Sequence, residues 1–163
     1  MADDIIPIDI GVSVQMMDGT AFATWSFDHE KTGGDATEVR LYLGQEYRVT
    51  YRLLDASSWS IDAVSLRRVS DSNVGFVTLT QGETTKPQPL PDGAGTLTVE
   101  VFGPDAVSLN ITNELSPGSE ALTLGLSLTV SARNSQSILK QSSQDPQVIL
   151  EPRTVPPPPP PRR

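Results

Sequence analysis

The chain has 163 residues, of which 37% are hydrophobic, and it carries a net charge of −8 with no cysteine. This length fits one domain with a tail, and the absence of cysteine excludes disulfides and thiolate metal sites. Residues 133–163 carry a net charge of +3, so residues 1–132 carry −11. An acidic body repels phosphate backbones, which argues against nucleic acid as a partner.

The N-terminal stretch MADDIIPIDIGVSV lacks the features of a targeting segment. Two aspartates stand where a signal peptide carries positive charge, and Pro7, Asp9 and Gly11 interrupt the apolar positions. No window of the chain approaches the roughly 18 uninterrupted apolar residues of a membrane span. We therefore expect a cytoplasmic protein with no membrane partner.

Apolar and polar residues alternate along most of the chain, which is typical of strands with one buried face and one face in water. The alternation is strongest in IDIGVSVQM, EYRVTYRLL and LTLGLSLTVSA. Turn-forming stretches such as Asp18-Gly19 and Ser116-Pro117-Gly118 separate the segments. In chain order, the predicted strands lie within 8–16, 20–28, 38–43, 46–54, 59–68, 74–80, 96–102, 106–112, 122–132 and 147–151.

The segment WSIDAVSLRR changes phase partway along. Trp59, Ile61 and Ala63 share one face, whereas Val64 and Leu66 continue in the opposite phase. Such a slip predicts a bulge, or a strand that leaves one sheet for the next. Because no segment shows a sustained period of 3.6, we expect a single antiparallel β-sandwich over residues 5–151.

One hairpin is predicted from its register. If Gly44, Gln45 and Glu46 form a three-residue loop, the apolar residues of the two flanking strands meet on one inward face. The inward pairs are then Leu43 with Tyr47, Leu41 with Val49 and Val39 with Tyr51, and the outward pairs are Tyr42 with Arg48 and Glu38 with Arg52.

The tail combines a short apolar run with a polyproline stretch. Pro146 and Pro152 bound Gln147–Glu151, which we expect to be an edge strand because proline cannot donate to a ladder. Val148 and Leu150 would then face the core, and Ile149 would face solvent or a partner.

The six prolines of residues 156–161 favour a stiff polyproline II rod. Residues 152–163 are either a solvated spacer or a docking segment for a proline-binding groove or the acidic body of a neighbouring molecule. The candidate protein-binding residues are Val148, Ile149, Leu150, Pro156, Pro157, Pro158, Pro159, Pro160, Pro161, Arg162 and Arg163.

The acid–histidine–acid trio Asp28-His29-Glu30 holds the only histidine of the sequence. Such a trio has the residue types for metal binding or proton transfer. Adjacent residues on an extended chain point to opposite faces, however, and Lys31-Thr32-Gly33-Gly34 follows, so we expect a solvated loop. No catalytic or nucleotide-binding motif is present, and we expect no enzyme activity, no cofactor and no metal.

Other polar and aromatic residues have structural explanations. The turn residues have the oxygen atoms that calcium prefers, but turn chemistry also accounts for them. Asn110-Ile111-Thr112 matches a glycosylation sequon, which we interpret as a chance match on a strand. Trp25 and Trp59 fall in phase with apolar faces, which indicates core packing rather than an exposed sugar-binding platform. The turn residues in question are Asp71, Asn73, Asp92 and Asp105.

The dipeptides Asp145-Pro146 and Glu151-Pro152, which close a small all-β chain, resemble the signature of the DP-EP family of small bacterial proteins. The resemblance implies an immunoglobulin-like β-sandwich, in agreement with the period of two. It implies no catalytic residue.

Two functions remain open. The first is a structural or interaction protein that self-associates, as a homo-oligomer, or docks on a protein partner through sheet edges and the tail. The second is a carbohydrate- or small-ligand-binding module that uses loops at one end of the sandwich. The first predicts oligomers whose size depends on the tail, and the second predicts a monomer.

Overall fold

The computed structural model describes residues 5–16, 23–54, 59–68, 75–80, 82, 87–90, 93–132, 140–142 and 146–154. These residues form twelve strands and no α-helix. Among them there is no helix with the length and apolar character needed to cross a membrane. The strands are β1 (Ile6–Met16), β2 (Ala23–His29), β3 (Glu38–Leu41), β4 (Glu46–Leu53), β5 (Trp59–Arg68), β6 (Gly75–Thr80), β7 (Gln88–Pro89), β8 (Thr96–Phe102), β9 (Ala106–Thr112), β10 (Leu122–Ala132), β11 (Lys140–Ser142) and β12 (Gln147–Leu150).

The strands build two mixed sheets. Sheet A has the order β2-β1-β4-β9-β8-β7, and sheet B has the order β3-β12-β10-β5-β6, with β11 also pairing along β10. Two of the pairings between described strands, β1 with β4 and β3 with β12, are parallel. The expectation of purely antiparallel sheets is therefore wrong. Each parallel pair joins strands far apart in sequence, and alternation within a strand carries no information about such a partner.

The buried side chains of both sheets form one hydrophobic cluster. On β4, the alternating residues Tyr47, Val49, Tyr51 and Leu53 are at most 4% exposed, as predicted. The alternating leucines of β10 are buried in the same way. Burying each such side chain contributes about 1.5–3 kcal/mol, so the period of two identifies the residues that stabilise the fold.

The phase change in β5 is a β-bulge. Ala63 pairs with Thr129 and Ile61 with Val130, so Asp62 has no counterpart on β10. Val64 is therefore buried in the new phase, as Ile61 is in the old one. Of the two predicted explanations, the bulge is confirmed, and β5 stays within sheet B.

The predicted hairpin between 38–43 and 47–53 does not form. β3 belongs to sheet B and β4 to sheet A, so the connection between them passes from one sheet to the other. Gly44 takes a φ of +80° in this connection, and the Tyr42 N–H donates to the Tyr47 hydroxyl at 2.9 Å. The inward faces were predicted correctly, but alternation gives only the face of a residue, and strands of two different sheets can share one core.

The outward pairs predicted for that hairpin are absent for the same reason. Arg48 Nε lies 3.4 Å from Glu100 Oε2 on β8, and Arg52 Nη1 lies 3.1 Å from Glu30 Oε2 beyond β2. Both arginines therefore pair with neighbours in sheet A.

β12 is not an edge strand, because it lies between β3 and β10. Val148 and Leu150 are fully buried, as predicted, but Ile149 is only 7% exposed and does not face solvent. Pro146 lacks an N–H donor at its own position only, and its carbonyl still accepts the Leu126 N–H at 2.9 Å. The strand that follows it can therefore pair on both sides.

Candidate functional site

The outermost strands of the two sheets are the first candidates for a binding site, because an edge strand presents unpaired main-chain N–H and C=O groups. The edge at β7 is two residues long and contains Pro89. The edge at β3 is four residues long, and its alternate residues Glu38 and Arg40 are exposed. Short length, charge and proline all discourage the addition of another strand.

The edge of sheet A at β2 is partly covered by the loop that follows it. The Ala36 N–H donates to the Phe27 carbonyl and the His29 N–H donates to the Gly34 carbonyl, both at 2.8 Å. The loop is itself fixed by Asp35, whose carboxylate accepts the Thr37 hydroxyl at 2.6 Å and the Thr37 N–H at 3.1 Å. These hydrogen bonds lower the pKa of Asp35.

The edge of sheet B at β6 differs from the edges at β7, β3 and β2. Its sequence, GFVTLT, has six residues and contains no charge and no proline. Among the described strands, β6 pairs only with β5. It is therefore the longest edge that neither a charged side chain, nor a proline, nor a described loop protects.

A surface groove of about 400 Å³ lies beside the middle of β1, where the last residues of β2 and β4 flank Gly11. Gly11 forms part of its lining, and Leu54, which is 60% exposed, lies across that glycine. The Arg52–Glu30 ion pair and the residues Asp28 and His29 complete the lining. The groove thus combines charged side chains of both signs with one exposed apolar side chain.

The structure revises the prediction for the acid–histidine–acid trio. Asp28 and His29 belong to β2, and only Glu30 lies in the turn, so the expected loop is wrong for the first two residues. The Glu30 N–H donates to the Asp9 carbonyl at 3.0 Å, which holds the turn against β1. Within the described ranges, no three His, Asp or Glu side chains are grouped to hold a metal ion.

The outer face of sheet A carries a polar network across β4, β9 and β8. Asn110 Nδ2 donates to Glu100 Oε1 at 2.7 Å, and Asn110 Oδ1 accepts from Arg48 Nε at 3.3 Å. Two residues further along each strand, and so on the same face, the Thr50 and Ser108 hydroxyls are 2.9 Å apart. The side-chain amide of the sequon residue Asn110 is therefore hydrogen-bonded within the sheet.

The segment Pro146–Arg153, which we call the clasp, connects both sheets through Asn113. This residue is 1% exposed, and its Nδ2 donates to the carbonyls of Leu41 (2.8 Å) and Glu151 (2.9 Å). Its Oδ1 accepts the Leu115 N–H at 3.1 Å. Sequence reasoning missed Asn113, because one asparagine in a polar stretch is indistinguishable from a turn residue.

The predicted protein-binding residues divide into two groups. Val148, Ile149 and Leu150 are enclosed within sheet B, so the free edge through which they were expected to bind is absent. The other candidates, Pro156–Arg163, lie outside the described residues.

The structure also describes both tryptophans and one of the turn residues considered as calcium ligands. Trp59 is buried in the core as predicted. Trp25 is half-buried, packs against the core and stacks on Phe27 with ring centroids 6.1 Å apart. Asp105 is exposed, whereas the other turn residues named as calcium candidates (Asp71, Asn73 and Asp92) lie outside the described residues.

No family model matches the sequence, and no curated protein matches it either. The resemblance to the DP-EP family therefore stays a prediction.

Proposed function

We propose that the chain is a non-enzymatic, immunoglobulin-like β-sandwich domain that self-associates, or docks on a protein partner, through its sheet edges and proline-rich tail. The observation that carries this proposal is the contrast between β6 and the edges at β2, β3 and β7. Three are short, charged, proline-containing or partly covered, whereas β6 offers six uncharged residues. Strands added to such an edge gain main-chain hydrogen bonds without desolvating charge.

The charge distribution supports association at this edge. Residues 1–132 carry −11, so the net charges of two such bodies repel one another. An uncharged edge strand is a place where close approach costs little electrostatic energy. The basic end of the chain, with Arg162 and Arg163 after the prolines, would add attraction towards an acidic surface.

The test is size-exclusion chromatography with light scattering on the full chain and on Thr80→Lys, which places a charge at an exposed position of β6. We expect oligomers of the wild type and association weakened about tenfold or more in the variant. Thr24→Lys, at an exposed position of the partly covered β2 edge, is the matched control and should leave the size unchanged.

The contribution of the tail is measured on a chain that ends at Thr154. This end point keeps the Arg153 carbonyl, which accepts the Leu43 N–H at 2.8 Å. Smaller assemblies of the shortened chain would support a docking role for residues 155–163. A wild type that is monomeric at high concentration would refute self-association.

The groove at Gly11 favours a second candidate, the binding of a small polar ligand. Its Arg52–Glu30 pair and Leu54 give it both hydrogen-bonding and apolar contacts. Titration of a carbohydrate panel, followed by NMR shifts of Gly11 and Leu54, distinguishes this function. If the protein is monomeric and Arg52→Gln abolishes these chemical-shift changes, the result would favour ligand binding over self-association.

A further inference from the structure

We propose that the clasp is exchanged between two copies of this chain, each copy placing its own Pro146–Arg153 in the slot between β3 and β10 of the other. The inference rests on the proposed self-association and names both the partner and the segment that the partner contributes. It differs from pairing at β6, because the exchanged strand lies inside a sheet rather than at its edge.

The clasp is bound along both sides by main-chain hydrogen bonds. On the β3 side, the Gln147 N–H donates to the Thr37 carbonyl and the Glu151 N–H to the Leu41 carbonyl, each at 2.8 Å. On the other side, β12 forms an antiparallel ladder with the first residues of β10. Among the described strands, β12 is the sole partner of β3, so an empty slot would leave two sheet edges unpaired.

Side chains make the slot specific for this sequence. Val148 and Leu150 are fully buried, so any occupant needs apolar residues at these two alternate positions. Glu151 is nearly buried and pairs with Arg40 on β3. Asn113 donates to the main-chain carbonyl at the position of residue 151, which holds the occupant in place whatever its side chain. The clasp of a second copy meets each of these requirements, because it is the same sequence.

The ladder along β10 is divided into two parts. Ser142 of β11 pairs with Thr129, and Gln147 of β12 pairs with Gly125. The register along β10 therefore changes by one residue between β11 and β12. The two pairings are thus out of register with each other, and the exchange that we propose moves β12 while β11 stays on β10.

Two full-length variants test the exchange by making the ion pair form only between chains. Arg40→Glu mismatches the slot with its own Glu151, and Glu151→Arg mismatches the clasp with its own Arg40. Reciprocal exchange between the two variants restores both pairs. The proteins, distinguished by mass, are unfolded together, refolded at equal concentration and measured by native mass spectrometry. We expect the mixed dimer to exceed either same-variant dimer by about tenfold or more.

The control mixture contains the wild type and the double variant Arg40→Glu/Glu151→Arg. Both chains have a matched pair within themselves, and exchange between them mismatches both pairs, so mixed dimers should be rare. Equal amounts of mixed dimer in the two mixtures would overturn the exchange and leave association through the edges in place. Monomers in every sample, wild type included, would refute self-association as well.

A folding defect in the single variants does not remove the test. If each variant is unfolded alone, the proposal requires that circular dichroism of the refolded mixture recovers the β-sheet signal. A mixture that stays unfolded while the double variant folds would overturn the proposal.

Discussion

Tyr51 gives the sharpest test of the core, because its hydroxyl is buried and has no hydrogen-bond partner among the described residues. The ring is fully buried and packs edge-on against Phe27, with centroids 6.5 Å apart. A buried hydroxyl without a partner loses its hydrogen bonds to water on folding, which costs about 1–3 kcal/mol. Tyr51→Phe removes that cost and leaves only a small void, so we expect it to raise the free energy of unfolding by about 1–2 kcal/mol.

The assay is urea unfolding at pH 7, with Tyr47→Phe as the matched control. Tyr47 lies on the same strand, is 4% exposed, and its hydroxyl accepts the Tyr42 N–H at 2.9 Å. Its loss should lower the free energy of unfolding by about 1 kcal/mol, opposite in sign to Tyr51→Phe. A lower urea midpoint for Tyr51→Phe than for the wild type would show that the hydroxyl has a partner and that the argument is wrong.

The same substitution has a signature at high pH. Burial raises the pKa of Tyr51 above its ordinary value of 10.0, since the charged form is poorly solvated in the core. Below pH 10 both states keep the proton and the stability is complete. Above pH 10 the unfolded state ionises first, so the wild type loses up to about 1.4 kcal/mol per pH unit from this residue. Tyr51→Phe should therefore lose less stability per pH unit above pH 10. Burial also raises the pKa of Tyr47, so part of the pH dependence remains in the variant.

Two further substitutions test the hydrogen bonds of Asn113, which connect the sheets, and the close approach of two chain segments at Gly95. Asn113→Ala leaves the Leu115 N–H and the Glu151 carbonyl without their side-chain partner. We expect urea unfolding to show a free energy of unfolding that is lower by about 2–4 kcal/mol. A decrease of less than about 0.5 kcal/mol would contradict the role of Asn113. Gly95→Ala places a Cβ 2.1 Å from the Thr112 carbonyl oxygen at a φ of +140°, and it should lower the free energy of unfolding by more than about 3 kcal/mol. Gly33→Ala is the control, because Gly33 has a φ of +76° and open space around it, and it should cost about 1 kcal/mol. Equal decreases for the two variants would contradict the close approach at Gly95.

The sequence predicts the strands and their buried faces well, because both follow from local chemistry. The alternation in β4 and β10 reflects which side chains leave water, and the phase change near Asp62 marks the bulge that the structure contains. Pairing is a non-local property. Leu41 and Val49 both face the core, so the pattern alone cannot tell that they lie in different sheets.

The candidate sites were harder to predict, because they arise from strands distant in sequence. The groove brings Gly11 of β1 beside Arg52 of β4 through a parallel pairing that no turn signal marks. The clasp is a central strand for a similar reason, since its partner β3 precedes it by many elements. Residues 74–80 were predicted as a strand, but the position of β6 at the edge of sheet B was not predicted.

The parallel pairing of β3 with β12 also affects the order in which the chain can fold during synthesis. Arg40 and Glu151 are 111 positions apart in sequence. At the usual speed of translation, β3 therefore emerges roughly 5–20 seconds before the strand that covers it. During that interval the ribosome-bound chain presents Val39 and Leu41 without their final neighbour, and protection by a chaperone would be most valuable at this stage of synthesis.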